Sequence, residues 1–252
     1  MLLEDITLID RAQLLSKPDN TLNENQLKAY TRKILDRAKH VPLSYIRSKS
    51  EFYGRDFFIN QNVLEPRPES ETLIEEFLLI TKDNQSETTV VDMGTGSGAL
   101  IISAKLERPD ITAIGVDVDP RCLAVAHKNA AQYRQNIAFY TSDLTLSLPK
   151  SVWSNSPQSI VLANLPYVPN DWQINRAATH EPKLAIFGGV DGLKLYRKLF
   201  KQLSMLNYPP TWVLTEAMPP QHKKLLQVAA RSGYAHAKTN DFIQVYKHKN
   251  KI

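Results

Sequence analysis

The chain has 252 residues, of which 42% are hydrophobic and 23% charged, and it carries a formal net charge of +5. A chain of this length can bury the core of one large domain with a small appendage, and its hydrophobicity excludes a disordered protein. The single cysteine, Cys122, excludes an intramolecular disulfide. The six histidines show no Cys/His pair at metal-ligand spacing, so we expect no metal site.

Membrane and secretory signals are not expected. No apolar run reaches the roughly 18 residues of a membrane helix. The stretch "MLLEDITLIDRAQ" carries acids where a secretory signal would carry bases. We therefore expect a cytoplasmic monomer that makes no membrane contact. The pI of about 9.1 and the basic tail "VYKHKNKI" permit weak contact with RNA or the ribosome, although a solvated terminus explains the tail equally well.

Residues 1–46 predict a small helical module. Leu3–Leu15 favours a helix, and Lys17-Pro18-Asp19-Asn20 separates it from a second helix. Thr21 with Glu24 predicts a capping box for that second helix. Apolar residues then recur at helical spacing, namely Leu27, Tyr30, Ile34, Leu35 and Ala38.

Residues 47–70 predict a β-hairpin linker. The stretch "EFYGRDFFINQNVL", residues 51–64, is aromatic and β-branched around Gly54 and Asn60-Gln61-Asn62. The sequence "PRPESE" follows, and a helix is expected from Glu71 to Ile80. Pro68 suits the first turn of that helix, and Glu69 and Glu71 suit its N-terminal dipole.

Residues 71–252 predict a doubly wound α/β sheet. Short apolar strands alternate with helical segments, which indicates parallel strands joined by crossover helices. A helix over Gln221–Ser232 and the strand "DFIQVYKH" complete the pattern, with an additional helix over Asp191–Leu206. The expected strands are Thr89–Asp92, Thr112–Asp117, Ile137–Tyr140, Ile160–Ala163 and Trp212–Thr215.

The first strand of this sheet ends in "VVDMGTGSGAL". Gly94, Gly96 and Gly98 fall in the turn that enters the next helix, where glycines let a backbone approach a ligand closely. Together with Asp92 and Thr95 they form a candidate nucleotide-type ligand site. The spacing does not identify the ligand, because Gly94, Gly96 and Ala99 also satisfy the dinucleotide pattern.

Acidic residues end the next two strands. Asp117, followed by Val118, stands where a carboxylate would accept hydrogen bonds from ribose hydroxyls. Asp119 instead suits the N-cap of the helix that begins at Pro120. Near the third strand, Asp143 or its neighbouring backbone at Leu144 could bond an adenine amine, although a helix or turn cap explains Asp143 nearly as well.

The fourth strand ends in "NLPYVP", which a dehydrogenase does not need. Methyl transfer to a planar nitrogen does need such groups, since the delocalised lone pair makes that nitrogen a poor nucleophile. The Asn164 side-chain oxygen and the Leu165 carbonyl would orient an NH2 group and stabilise the positive charge that develops on it. Pro166 would stiffen the backbone, and Tyr167 could pack against the planar group.

The chain resembles the HemK/PrmC-type protein-glutamine N5-methyltransferases. The resemblance rests on "PLSYI" (42–46), "VLEPRPESETLIE" (63–75), "DMGTGSGAL" (92–100), "NLPYVP" (164–169) and "HEPKLAIFGGVDGLKLYRKL" (180–199). It implies a seven-stranded class I SAM-dependent methyltransferase (Rossmann-like) sheet, with a small helical N-terminal domain and a β-hairpin linker. The implied reaction methylates, from S-adenosylmethionine, the glutamine of the Gly-Gly-Gln tripeptide in peptide-chain release factors.

The resemblance also implies roles for individual residues. Arg67 and Pro68 would border the substrate pocket, and Asn164 to Tyr167 would bind the target amide. The cofactor-binding set would be Asp92, Gly94, Thr95, Gly96, Gly98, Asp117, Val118, Asp143, Leu144 and Asn164. Gly188 and Gly189 could be a simple turn, with Glu181 solvated.

The sequence departs from the family at three places. Leu165 replaces the first proline of the usual Asn-Pro-Pro-Tyr, the N-terminal module is short, and much of the family's usual sequence between Gly233 and the last strand is missing. Asn-Leu-Pro-Tyr is also similar to the motif of rRNA adenine N6-methyltransferases, so RNA methylation is one alternative. A non-catalytic SAM-binding protein is another.

Overall fold

The N-terminal module consists of four helices. The structure, a computed structural model, describes residues 1–83 and 86–250. The helix expected over Leu3–Leu15 is divided into two short helices. Leu8 ends the first with a left-handed conformation at φ 58°, and Asp10 is the N-cap of the second. The capping box predicted at Thr21 and Glu24 is wrong, since Asn23 and Gln26 form it. The four helices are α1 (Leu2–Thr7), α2 (Arg11–Ser16), α3 (Glu24–Ala38) and α4 (Leu43–Arg47).

The predicted hairpin is confirmed as β1 (Lys49–Phe52) paired antiparallel with β2 (Arg55–Phe58). It ends before the Asn60-Gln61-Asn62 turn. The buried Asn129 side chain bonds both the N–H and the carbonyl of Phe58, and it also donates to the carbonyl of Ser97. Phe52 packs in the same hydrophobic core as the large sheet. The hairpin is therefore fixed against the sheet and against the turn that carries the glycines.

The large sheet has seven strands in the order β5-β4-β3-β6-β7-β9-β8. The first five strands in that order run parallel, β9 pairs antiparallel with β7, and β8 pairs antiparallel with β9, so only β9 runs against the other six. The predicted fold class is thus confirmed. The strands are β3 (Thr88–Met93), β4 (Thr112–Asp117), β5 (Ala138–Thr141), β6 (Gln158–Ala163), β7 (Trp212–Glu216), β8 (Tyr234–Asn240) and β9 (Ile243–His248).

Helices cover both faces of this sheet, and each face has its own apolar core. One core contains Val91, Met93 and Leu165 with α10, and the other contains Val90, Leu162 and α6. The predicted helix at Asp191–Leu206 begins later, because Asp191 and Gly192 form a turn. The helices of this part are α5 (Glu71–Thr81), α6 (Ala99–Glu107), α7 (Pro120–Gln132), α8 (Ser151–Ser154), α9 (Lys183–Ile186), α10 (Lys194–Leu203) and α11 (His222–Arg231).

Strand β8 lies at the edge of the sheet and was not predicted from the pattern. Its residues from Ala235 to Thr239 are exposed, so the alternation of apolar and polar residues that identifies a half-buried strand is missing. Across residues 1–83 and 86–250, no helix combines the length and apolar character needed to cross a bilayer.

Candidate active site

The site lies where the strand order reverses. Strand β3 pairs with β4 on one side and with β6 on the other, and ligands of open α/β sheets bind at the carboxyl ends beside such a reversal. Gly94 follows β3, and Asn164 and Leu165 follow β6. A Cβ added to Gly94 would stand 3.1 Å from Cδ2 of Leu165. The topology therefore brings the glycine motif and the "NLPY" motif into contact.

The glycine motif forms a tight turn before α6. The N–H groups of Gly94 and Thr95 both donate to the carbonyl of Val116 at 2.8 Å. Gly94, Gly96 and Gly98 all have positive φ values, at 78°, 53° and 78°. Side chains are strained in that conformation, so glycines suit this turn and leave its backbone open to a ligand.

The Asp117 carboxylate lies against this turn. One oxygen accepts from the N–H of Gly96 at 3.0 Å, and the other accepts from the N–H of Asp119 at 3.0 Å. A carboxylate has about four lone-pair positions, so it can still accept bonds from a diol. Burial raises the pKa of Asp117. Val118 beside it is half exposed, and Asp119 caps α7 as predicted.

Asp143 lies further out, after the edge strand β5. Its carboxylate pairs with Lys198 on α10. Leu144 adopts a left-handed conformation with φ 58°, and its side chain is buried in the core. The carboxylate of Asp143 is thus engaged with a lysine, while an adenine contact from Asp143 or from the backbone at Leu144 stays a prediction.

The carboxyl group of Asp92 is fully buried under the turn. Its Oδ2 accepts a hydrogen bond of 2.7 Å from the Thr95 hydroxyl. Burial raises the pKa of Asp92 to about 7, and the nearby Asp117 adds to this effect. Asp92 therefore holds the turn from below.

A chain of hydrogen bonds fixes the side-chain amide of Asn164. Its Nδ2 donates to Oγ of Ser70 at 2.7 Å, and Ser70 donates to Oε2 of Glu216 at 2.6 Å. Oδ1 of Asn164 makes no hydrogen bond to any residue within 1–83 and 86–250. The amide oxygen is therefore the free acceptor of this side chain.

Leu165 is held by Tyr196, a fully buried residue of α10. The Leu165 N–H donates to the Tyr196 hydroxyl at 3.1 Å, and that hydroxyl donates to the backbone carbonyl of Glu216. The Leu165 carbonyl lies 3.4 Å from the same hydroxyl. A hydroxyl has one proton and Glu216 is its nearest acceptor, so the Leu165 carbonyl keeps its capacity to accept another bond.

The segment around Gly192 supports Pro166 and Tyr167 from behind. The Tyr167 carbonyl accepts from Nε2 of Gln221 at 2.7 Å, and the Tyr167 hydroxyl donates to Oε1 of Glu216 at 3.0 Å. A Cβ on Gly192 would stand 1.9 Å from the Tyr167 carbonyl oxygen. Gly188 is equally crowded against the Pro166 carbonyl. Gly188 and Gly192 are therefore required for close packing against the "NLPY" motif, in addition to forming a turn.

Arg67 and Glu181 form an ion pair at the edge of the site. Nη2 of Arg67 lies 2.7 Å from both carboxylate oxygens of Glu181. Glu181 is buried, so the prediction of a solvated side chain is wrong. Burial raises the pKa of Glu181, and Arg67 opposes that shift. Pro68 begins a single turn of 3-10 helix that leads into α5, as its place in "PRPESE" predicted.

Two cavities meet at Asn164. Arg67, Leu64 and Asn164 line both of them. The first cavity runs to the glycine turn and Asp92. The second has a volume of about 310 Å³ and lies on the side of Pro166, Tyr167, Ile174 and Ala178. Asn164, which carries the free Oδ1, thus lines both the cavity beside the glycine turn and the cavity beside Tyr167.

Three residues of the site were not found from the sequence, namely Ser70, Tyr196 and Glu216. Glu216 did carry a signal, because it is an acid that directly follows the apolar run of β7, and β7 neighbours β6. Ser70 and Tyr196 lie in helical segments whose spacing carries no such mark.

The fold and this site define a class I methyltransferase. Residues 84–199 match the family described as methyltransferase domain, and residues 1–47 match the PrmC N-terminal domain. Two solved structures share the fold at 14% identity. The hMettl16 catalytic domain in complex with a MAT2A 3'UTR hairpin has a TM-score of 0.59 and coverage of 96% of this chain and 93% of that one. A methyltransferase from Pyrococcus furiosus has a TM-score of 0.52 and coverage of 90% and 99%.

The chain belongs to the family of release factor glutamine methyltransferases. It is 32% identical to the Bacillus subtilis member over 83% of this chain and 74% of the relative. It is 30% identical to the Coxiella burnetii member over 93% and 83%. The Leptospira interrogans member is 39% identical over 74% of this chain and 66% of its own length.

Proposed function

We propose that this protein transfers the methyl group of S-adenosylmethionine to N5 of the glutamine in the Gly-Gly-Gln motif of a peptide-chain release factor. The observation that carries the proposal is the free Oδ1 of Asn164 at the junction of the two cavities, with its Nδ2 held by Ser70. A carboxamide NH2 is a donor, so it is recognised by acceptors such as Oδ1 and the Leu165 carbonyl.

The turn from Gly94 to Gly98 and the carboxylate of Asp117 suit a nucleoside ligand. A side chain at Gly94 would occupy the space between the turn and Leu165. Glycine at this position therefore keeps that space open for a ligand. The Asp117 carboxylate would accept from the ribose hydroxyls, and the backbone near Leu144 would face the adenine. When bound, the cofactor supplies an electrophilic methyl group on a sulfonium sulfur.

Asn164 and Leu165 would act on the glutamine amide. Two acceptors on the NH2 group fix the plane of the amide and aim the nitrogen lone pair at the methyl carbon. The same acceptors stabilise the positive charge that the nitrogen gains as the N–C bond forms and the S–C bond breaks. The alkylated nitrogen then loses one proton to solvent, so no strong general base is needed. The ring of Tyr167 closes the side of the pocket.

The division of labour along the chain is also part of the proposal. Residues 1–46 would recognise the release factor, residues 47–70 would link the two parts as a hairpin, and residues 71–252 would carry out the transfer. A cleft of about 600 Å³ beside α3 and α4 supports the first role. Its lining includes Arg32, Lys33, Tyr45, Ile46 and His180. The groups proposed for catalysis lie within a single chain, so the proposed activity needs no second copy, and a release-factor substrate implies a cytoplasmic enzyme.

The test offers labelled S-adenosylmethionine with purified release factor and with ribosomal RNA in parallel. A release factor whose Gly-Gly-Gln glutamine is changed to alanine is the control. We expect label on the intact release factor and none on the control. Label on RNA alone would support adenine methylation instead, and label on neither, together with measurable cofactor binding, would indicate a non-catalytic SAM-binding protein.

A further inference from the structure

Glu216 lies beneath the "NLPY" motif, at the wall of the second cavity. It ends β7, its side chain is fully buried, and it is linked to the motif directly through Tyr167 and indirectly through Ser70 and Tyr196. Oε2 accepts from Ser70, which in turn accepts from Asn164. Oε1 accepts from the Tyr167 hydroxyl, and the backbone carbonyl accepts from Tyr196.

The direction of these hydrogen bonds depends on the charge of Glu216. An ionised carboxylate can only accept, so the hydroxyl protons of Ser70 and Tyr167 must both point at it. With its own proton committed to Glu216, Ser70 can only accept from Asn164. The Asn164 amide must therefore place its NH2 towards Ser70 and its oxygen towards the cavity.

We propose that Glu216, in its ionised form, is a positioning residue that sets the orientation of the Asn164 amide and of the Tyr167 hydroxyl for methyl transfer. The inference rests on the proposed function for its effect on turnover. A neutral group at position 216 carries a donor, which lets Ser70 turn its proton towards Asn164. The amide can then rotate and present its NH2 to the NH2 of the target, which removes the acceptor that aims the target nitrogen and stabilises its charge during transfer.

Several groups set the proton affinity of Glu216. Burial raises its pKa, and the hydrogen bonds from Ser70 and Tyr167 oppose that effect. Among charged groups, Glu69 raises the pKa and Arg67 lowers it. The orientation should therefore loosen as the pH falls, starting above the range in which an ordinary glutamate takes up its proton.

The first measurement needs no substrate. The side-chain NH2 signals of Asn164 are followed by ¹⁵N NMR over a pH series in the wild type, in Glu216→Gln and in Ser70→Ala. We expect a titration of these signals in the wild type that is absent from both variants. Glu76→Gln is the matched control, since Glu76 is a similarly buried glutamate that accepts hydrogen bonds from Lys238 and Asn240 of the edge strand β8 and makes none to Ser70, Asn164 or Tyr167. Glu76→Gln should keep the titration.

The second measurement compares turnover on release factor. We expect kcat to fall about 10²-fold in Glu216→Gln and in Ser70→Ala. The KM for release factor and the cofactor Kd should change little, and Ser70→Thr, which keeps the hydroxyl, should restore the rate. The double variant should be no slower than the slower single one, because both changes break the same chain of bonds.

The outcomes separate the two proposals. An Asn164 titration that is the same in Glu216→Gln as in the wild type would overturn the role of Glu216. So would a kcat of Glu216→Gln that equals the kcat of an active wild type. Inactivity of the wild type on release factor, with the expected NMR behaviour, would overturn the proposed substrate and leave the positioning role intact. If Glu216→Gln does not fold, Ser70→Ala and Ser70→Thr decide the question by the same readouts.

Discussion

The backbone N–H of Leu165 donates a 3.1 Å hydrogen bond to the hydroxyl of Tyr196, 31 residues further along the chain. The resemblance to the family leads one to expect proline at position 165, and proline has no N–H to donate. Leucine gives up the stiffness of a proline ring, but it gains this bond to a fully buried tyrosine. The backbone of the "NLPY" motif is thus restrained here by a hydrogen bond.

We expect Tyr196→Phe to lower the free energy of unfolding by about 1–3 kcal/mol, because it leaves the buried Leu165 N–H without a partner. In a Leu165→Pro background the N–H is absent, so the same change should cost roughly 1 kcal/mol less. Urea unfolding of the four proteins measures this coupling. Equal costs in the two backgrounds would show that the hydrogen bond contributes nothing.

Asn164→Ala should separate catalysis from cofactor binding. The change removes Oδ1 of Asn164, the free acceptor proposed to bind the target amide. We therefore expect kcat to fall by about 10²–10³-fold, the range for loss of one fixed group that stabilises developing charge. The cofactor Kd should stay nearly constant in calorimetric titration. A Kd that rises as much as kcat falls would assign Asn164 to the cofactor instead.

Asp117→Ala should have the opposite effect. The carboxylate faces the glycine turn and would bind ribose, so its loss should raise the cofactor Kd by about 10-fold or more and leave kcat at saturating cofactor near the wild-type value. Asp119→Asn is a suitable control, because asparagine also caps a helix and Asp119 points to Arg121. A lower kcat in Asp117→Ala with unchanged Kd would contradict the assignment.

The sequence predicted the parts of the site that follow strand ends. An apolar run that stops at a polar residue marks the end of a buried strand, and the parallel topology then gathers those ends at one edge. For this reason Gly94, Asp117 and Asn164 could be placed before the structure was known. The strand order places the carboxyl ends of β4, β3 and β6 side by side, and these three residues with them.

The supporting residues could not be predicted in this way. Ser70 meets Asn164 across 94 residues of sequence and Glu216 across 146, and no local spacing encodes such a contact. The Asp143 carboxylate meets Lys198 for the same reason, so its place in the sequence did not show that it would be paired. Local rules describe the backbone well, whereas pairs of polar side chains depend on the packing of distant helices.

Arg67→Ala should destabilise the protein in a pH-dependent manner. The change leaves the buried carboxylate of Glu181 without its cation, which should cost roughly 1–3 kcal/mol. That value is below the range for fully buried pairs, because Arg67 keeps a third of its side chain in solvent. Without the arginine the pKa of Glu181 rises further, so the folded protein binds a proton that the unfolded chain does not.

Urea unfolding at pH 5 and pH 8 checks this prediction. The loss of unfolding free energy in Arg67→Ala relative to wild type should be larger at pH 8, where the high pH favours the ionised form of Glu181, and smaller at pH 5. Adding Glu181→Gln should remove most of the deficit at pH 8. A deficit that is independent of pH, and that Glu181→Gln leaves in place, would indicate lost packing of the Arg67 side chain alone.

Asp92→Asn should flatten the dependence of stability on pH. Burial raises the pKa of Asp92 from 3.8 to about 7 in the folded protein, so the folded state holds this proton more tightly than the unfolded chain does. Its ionisation therefore opposes folding, and the associated stability is fully present below about pH 4 and is lost progressively as the pH rises through about 7. Asparagine keeps an acceptor for Thr95 and does not titrate.

Between pH 5 and pH 7, the wild type should lose up to about 1.4 kcal/mol per pH unit relative to Asp92→Asn. Unfolding free energies of the two proteins over this range give the difference in slope directly. Asp110→Asn is the control, since the guanidinium of Arg108 lowers the pKa of Asp110 and that group has finished titrating below pH 5. Parallel curves for wild type and Asp92→Asn would mean that Asp92 ionises in the folded protein as readily as in the unfolded chain.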